Sequence, residues 1–304
     1  MDLLHSLGAY GDDGGLLAAA MAASGYGATS EAARVQVPTG FDDVDRVTGG
    51  GLPAGVHLLS GEMACGKTGL VARLAVHCAD SETPVLFVCK MDDTVAIAQR
   101  MVAAHARIDR SELLTSTGQS ADRVQAAYRR LSDQPLAVVP AERLELWSVG
   151  WALRELASRV VDQPRLLVID DLDDLAGGAG QGDLGLVPRS LADMARRLGI
   201  AIVVTTTATL IGERRDRRPE LRDVHGWPQI APHLRSAWLL YRADQHDADS
   251  PDRGIGEVIL AWQANGPTGT VRLAHLPHLG TWANLHHRTG SGPYGAASVR
   301  EGGE

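Results

Sequence analysis

The sequence predicts an α/β fold: a mostly parallel sheet with helices on both faces and an antiparallel extension at its C-terminal edge. Three observations carry that prediction. Short, almost wholly apolar runs alternate with longer helical patterns between residues 56 and 204, as expected for strands buried on both faces of a parallel sheet. A glycine-rich phosphate-binding pattern lies between the first run and the first helix, which is the context such a loop requires. After Arg222 the pattern changes to strands joined by turn sequences, which suits antiparallel pairing.

In chain order, residues 1–36 are rich in Gly and Ala and read as a flexible arm with one short helix at 16–23. The runs at 56–59, 85–89, 136–139, 166–169 and 201–204 read as strands, each short and without polar alternation. Helical patterns at 66–77, 95–105, 121–131, 148–160 and 187–198 fall between them. Further strands are expected at 238–241, 256–262 and 269–275, the last two joined by Asn265-Gly266-Pro267-Thr268. The periodic signals thus belong to a domain at 37–286, and no internal repeat stands out. Residues 287–304 are Gly/Ser-rich and poor in apolar side chains, the composition of a disordered tail.

Composition narrows the function classes. No apolar run approaches the roughly 18–20 residues of a membrane span, and the first basic residue is Arg34, so the N-terminus lacks the basic flank of a signal peptide. A cytoplasmic protein is expected. The net charge of −8 argues against coating nucleic acid by global electrostatics, so any such contact is local. Cys65, Cys78 and Cys89 show no paired spacing and fit a reducing compartment. Lys67 and Lys90 are the two lysines of the chain, and Lys67 stands where a phosphate-binding loop requires one.

Gly61-Glu62-Met63-Ala64-Cys65-Gly66-Lys67-Thr68 matches G-x-x-x-x-G-K-[ST] in full. The glycines let the backbone wrap so that its N–H groups point at phosphate oxygens, and the following helix presents its positive end to the same anion. Lys67 is expected on the β- and γ-phosphates, and the Thr68 hydroxyl on Mg²⁺. The predicted cofactors are therefore ATP and Mg²⁺. Asp170 ends the apolar run 166–169 and is the expected second metal-orienting group, directly or through water. Asp173 and Asp174 read as loop-solvating residues. Cys65 lies where amides and Lys67 could lower a thiol pKa, but a small residue fitting a tight loop is the weightier reading. His275, His278, His286 and His287 form no ligand constellation, so no metal beyond Mg²⁺ is assigned.

At this point the residues resemble a known family. The stretch from Val37-Pro38-Thr39-Gly40-Phe41-Asp42-Asp43-Val44-Asp45 through Thr48-Gly49-Gly50 and the P-loop looks like the opening of the C-terminal motor domain of DnaB-type replicative helicases. Arg218-Pro219-x-Leu221-x-Asp223, Leu240-Tyr241-Arg242 and Gln263-x-Asn265-Gly266-Pro267-Thr268-Gly269-Thr270-Val271 continue the match in order, to about residue 285. The resemblance implies a RecA-like fold, ring-forming subunits and ATP between neighbours. Partners expected from it are further copies of the chain, a hexamer included, and single-stranded DNA or a replication protein. Only some 36 residues precede the match, so the family's N-terminal helical domain is expected to be missing.

Several positions that do chemistry in the family depart from its pattern. The strand after the P-loop helix ends in Ser-Leu-Glu-Met in the family, and that Glu activates water. Here Pro84-Val85-Leu86-Phe87-Val88-Cys89-Lys90-Met91 aligns without gaps, placing Met91 at the base position. A thioether cannot take a proton from water at neutral pH. Asp92 is expected on the other face of the strand, and Asp93 is the candidate substitute. The family's Lys-x-Arg, whose cations reach a neighbour's γ-phosphate, is Trp262-Gln263-Ala264 here. Its γ-phosphate-sensing Ser-Gln is Thr206-Thr207, and its DNA-contacting Arg-Glu-Ser-Gly is His225-Gly226-Trp227-Pro228. The acidic Ile-Glu-Gln-Asp-Ala-Asp run has become Ile230-Ala231-Pro232-His233-Leu234-Arg235. Arg214, Arg215, Arg217 and Arg218 form a basic cluster that either contacts single-stranded nucleic acid or is a solvated loop offset by Glu213 and Asp216. The expectation is a nucleotide-binding assembly or regulatory module with weak or no hydrolysis. The alternative is an active helicase using substitute residues.

Overall fold

The computed structural model describes residues 36–89, 93–140, 164–172, 185–212, 214 and 216–285, all within the unit that begins at Gln36. The arm with its helix at 16–23, the helix at 148–160, the tail, and Lys90, Met91, Asp92 and Arg215 lie outside the described residues.

Nine strands are described: β1 (Gly55–Gly61), β2 (Val85–Cys89), β3 (Leu136–Pro140), β4 (Leu166–Asp170), β5 (Ala201–Thr207), β6 (Ser236–Tyr241), β7 (Ile255–Gln263), β8 (Gly269–Leu276) and β9 (Thr281–Asn284). They form one sheet in the order β3-β2-β4-β5-β1-β6-β7-β8-β9. The helices are α1 (Asp42–Thr48), α2 (Lys67–Asp80), α3 (Thr94–Ala106), α4 (Gly118–Ser132) and α5 (Leu186–Leu198). Every strand and helix expected within the described residues forms, with ends moved by at most three residues.

Because both faces of the parallel strands are covered, alternate apolar side chains enter two cores. Phe87, Val168 and Val203 join Leu70, Leu74, Ile97 and Met101 of α2 and α3 on one face. Leu86, Val88, Leu167, Ile169 and Val204 join Leu191 and Ala195 of α5 on the other. Helix α2 is buried almost all round, from Lys67 to Ala79, since β9 and the turn before it close over the side that the sheet leaves free.

Three details differ from the sequence reading. Strand β3 is only half-buried, because it is the edge of the sheet. The antiparallel extension begins one strand late: β6 pairs parallel with β1 and antiparallel with β7. Strand β9 and helix α1 carried no clear periodic signal, being four and seven residues long. Both are held by tertiary contacts, and Asn284 of β9 bonds the backbone at Asp42 and Gly40. Among the described residues, no helix is long and apolar enough to cross a membrane.

Candidate functional site

The carboxyl ends of β1, β5, β4 and β2 lie side by side, at Gly61, Thr207, Asp170 and Cys89. In open α/β sheets this edge is where ligands bind. The loop 61–68 leaves β1 there and turns into α2. Two of its glycines are dictated by space. A Cβ on Gly61 would stand 2.7 Å from the Leu240 carbonyl oxygen, and Gly66 has a φ of +105° with Trp282 against it. The N-cap of α2 is Gly66, which supplies no side-chain cap, so the helix N-terminus faces the loop with its amides open to an anion.

Lys67 is buried, and its Nζ donates to the carbonyls of Gly61 (2.9 Å) and Glu62 (3.0 Å). That places the ammonium across the mouth of the loop. Met63 and Ala64 are exposed at its tip, Thr68 is half-buried at the start of α2, and Cys65 is buried beneath the loop. Burial pushes the Cys65 thiol upward despite nearby Lys67, so the packing reading of Cys65 holds. The loop's amides, helix end, lysine and hydroxyl fit a triphosphate with Mg²⁺.

Asp170 ends β4, with β5 between it and β1, two strand spacings or about 10 Å across the sheet. It is therefore not on the strand next to the loop. Thr205 of β5 donates to Asp170 Oδ1 at 2.6 Å and orients the carboxylate. Thr206 and Ser60 exchange bonds from the adjacent strands, Thr206 Oγ1 to Ser60 Oγ at 3.0 Å and Ser60 Oγ to Thr206 O at 3.3 Å. Met91 is outside the described residues. Asp93 is exposed just before α3, and its charge reaches Arg100, as does that of Asp170. Among the described residues no cluster of three His, Cys, Asp or Glu side chains could hold a metal.

Two contributors were not found from the sequence. Trp282 of β9 is fully buried under the loop and donates from Nε1 to Gly66 O at 2.9 Å. His275 of β8 packs on Trp282 with ring centroids 4.6 Å apart, and burial with nearby Arg242 lowers its pKa to about 4. No local pattern announces this, since β8 and β9 meet α2 only in three dimensions.

Two arginines of the basic cluster already have carboxylate partners. Arg214 is almost buried and grips the Asp223 carboxylate with both terminal nitrogens, Nη1 at 2.7 Å. Arg218 forks onto Glu257 with two bonds of 2.8 Å and lies 5.0 Å over the Tyr241 ring. Of the three described arginines, Arg217 alone is exposed. The partners Asp223 and Glu257 come from other elements, so neighbours in sequence such as Asp216 gave only part of the charge balance. At the far end of β7, Trp262 packs edge-on against Trp227, 6.2 Å between centroids.

Residues 36–284 match the family described as DnaB-like helicase C terminal domain. The replicative DNA helicase DnaB of Geobacillus stearothermophilus is 26% identical over 262 residues, 83% of this chain and 57% of that protein. The replicative DNA helicase DnaC of Bacillus subtilis is 25% identical over 263 residues, with the same coverage of 83% and 57%. The chain thus spans little more than half the length of these relatives. Among solved structures, the ATPase domain of the G40P protein superposes with a TM-score of 0.77 at 22% identity, covering 90% of this chain and all of that one. The RadB recombinase, at TM-score 0.52 and 16% identity over 83% of this chain and 100% of that one, shares the RecA-like sheet.

Proposed function

Since the chain belongs to the DnaB-like helicase C-terminal domain family, we propose that it binds Mg²⁺-ATP at residues 61–68 and acts in the cytoplasm as an oligomeric assembly or regulatory module in DNA transactions, with little or no hydrolysis. What the nucleotide supplies when bound is a polyanion and a divalent cation that order the loops around them. The residues of this chain do the holding. Lys67 would leave the Gly61 and Glu62 carbonyls for the phosphates, Thr68 would take the metal, and Asp170, oriented by Thr205, would reach it through water across β5.

The observation that carries the weak-hydrolysis reading is the Trp227–Trp262 pair. Two positions at which the family has a polar DNA-loop residue and a trans cation are here filled by rings packed on each other. A packed indole cannot stabilise phosphate charge, and loss of a trans cation costs about 10³–10⁵ in rate where measured in related NTPases. Met91 at the base position acts in the same direction.

One observation favours the alternative, an active motor with substitute groups. The Ala264 amide donates to Arg235 O at 2.9 Å, so the residue paired with the position of the missing trans arginine is itself an arginine. Steady-state ATP turnover with and without single-stranded DNA separates the two. The proposal expects turnover near background in both. It also expects Met91→Glu, Trp262→Lys and Ala264→Arg together to raise hydrolysis measurably, with Met91→Glu alone doing little. Robust DNA-stimulated hydrolysis that is lost in Arg235→Ala establishes the alternative.

A further inference from the structure

The P-loop carries an acidic residue at its second position. A carboxylate on a phosphate-binding loop opposes binding of a polyanion unless it is held aside. The group that holds Glu62 comes from the turn after β6. His246 Nε2 lies 2.7 Å from Glu62 Oε2, with both side chains largely shielded, 16% and 24% exposed. Next to it, Gln245 Nε2 donates to the Met63 carbonyl at 2.8 Å. One short turn therefore holds two consecutive P-loop residues, one by its side chain and one by its backbone carbonyl.

This turn is built to stay in place. Residues Ala243–Gln245 form a single 3₁₀ turn, and the amides of His246 and Asp247 both bond Ala243 O at 3.1 and 3.0 Å. Arg242 Nε bonds Asp244 Oδ1 at 3.0 Å, and Asp244 Oδ2 takes the Gly254 amide at 3.0 Å, tying the turn to the start of β7. The His246 ring stacks on Tyr241 at 6.1 Å and 22°. Tyr241 is fixed in turn, its hydroxyl donating to Asp216 O at 2.7 Å. The imidazole is thus aimed at Glu62 by packing on one side and by the turn on the other.

We infer that His246 is a positioning residue of the nucleotide site: through its Nε2 contact it holds the Glu62 carboxylate off the phosphate path, and with Gln245 it sets the shape of the P-loop tip. This rests on the nucleotide-binding reading of residues 61–68 and adds to it a residue about 180 positions away, outside the motif. A structural prop and a partner that holds the Glu62 carboxylate aside predict different behaviour. If the role is to hold that carboxylate aside, Glu62→Gln makes the histidine dispensable.

The test is a double-mutant cycle on Mg²⁺-ATP affinity, measured by calorimetry on the full chain. His246→Ala should weaken binding about tenfold, because it leaves an unpaired carboxylate beside the phosphates. Glu62→Gln in that background should return affinity to within about twofold of the parent. His246→Gln, which keeps a donor but cannot be charged, should fall between. Equal weakening in His246→Ala and in the double variant overturns the inference, since it marks a packing role. So does parental affinity in His246→Ala. If the parent chain itself does not bind Mg²⁺-ATP, the nucleotide reading falls as well, and that outcome is distinct because Lys67→Ala then has nothing to remove.

Discussion

Lys67 and His57 are both buried on or beside β1. Two carbonyls of its own loop accept from Lys67, a stand-in for phosphate oxygens of the kind the loop is shaped to meet. Lys67→Ala should therefore abolish Mg²⁺-ATP binding with little effect on folding, by calorimetry and thermal melting; equal affinity would remove the site assignment. His57 sits between Ser236 Oγ and Pro53 O, each at 2.8 Å, and burial lowers its pKa from 6.5 to about 4. The sign of the pH effect follows. Between those two values the unfolded chain binds a proton that the folded chain refuses, so stability falls as pH drops from 6.5 toward 4. The full effect is at most about 3 kcal/mol. Denaturant midpoints at pH 7 and 4.5 should show a shallower loss in His57→Gln, which cannot take the proton. An unchanged slope would mean that His57 does not titrate in this range.

Strand β9 shows how an element too short to be noticed can support the site. Its four residues bring Trp282 under the loop, where the ring fills the space beside Gly66 and Gly256. A Cβ on Gly256 would lie 2.4 Å from that ring, so a glycine at the start of β7 is the counterpart of the tryptophan. Trp282→Ala should cost about 3–5 kcal/mol of stability by leaving a cavity. Trp282→Phe keeps most of the volume and removes the bond to Gly66 O, at about 1 kcal/mol, and should weaken nucleotide binding more than its stability loss explains. Parental affinity in Trp282→Phe would show that the indole only fills space. The loop bearing Arg214 and Arg218 follows a similar logic: its guanidiniums serve Asp223 and Glu257 first, which makes the loop a brace between β5 and β7 more than a free contact surface.

At the scale of the molecule, assembly is the open variable. We propose that residues 1–34, where the sequence leads one to expect a single helix too short to fold alone, dock on a neighbouring copy as the family resemblance implies. Deleting residues 1–34 should lower the mass in solution, by light scattering, while nucleotide binding persists; an unchanged mass would deny the arm that role. What the sequence by itself determined was the class of fold, the order of strands and helices, and the loop 61–68. These rest on local rules: buried parallel strands must be continuously apolar, and a phosphate loop needs its glycines and lysine at fixed spacing. It also leads to the proposal that Met91, Trp262 and Ala264 stand where the resembled family does its chemistry, because the sequence match resumes on either side of them. The tertiary structure alone decided the rest. It made β3 a half-buried edge, continued the parallel pairing through β6, and put β5 between Asp170 and the loop. It paired Arg214 with Asp223 and Arg218 with Glu257, and it joined Trp282 and His246 to a loop more than 170 residues away. Side-chain pairing across the sheet depends on which strands become neighbours, and no local periodicity encodes that.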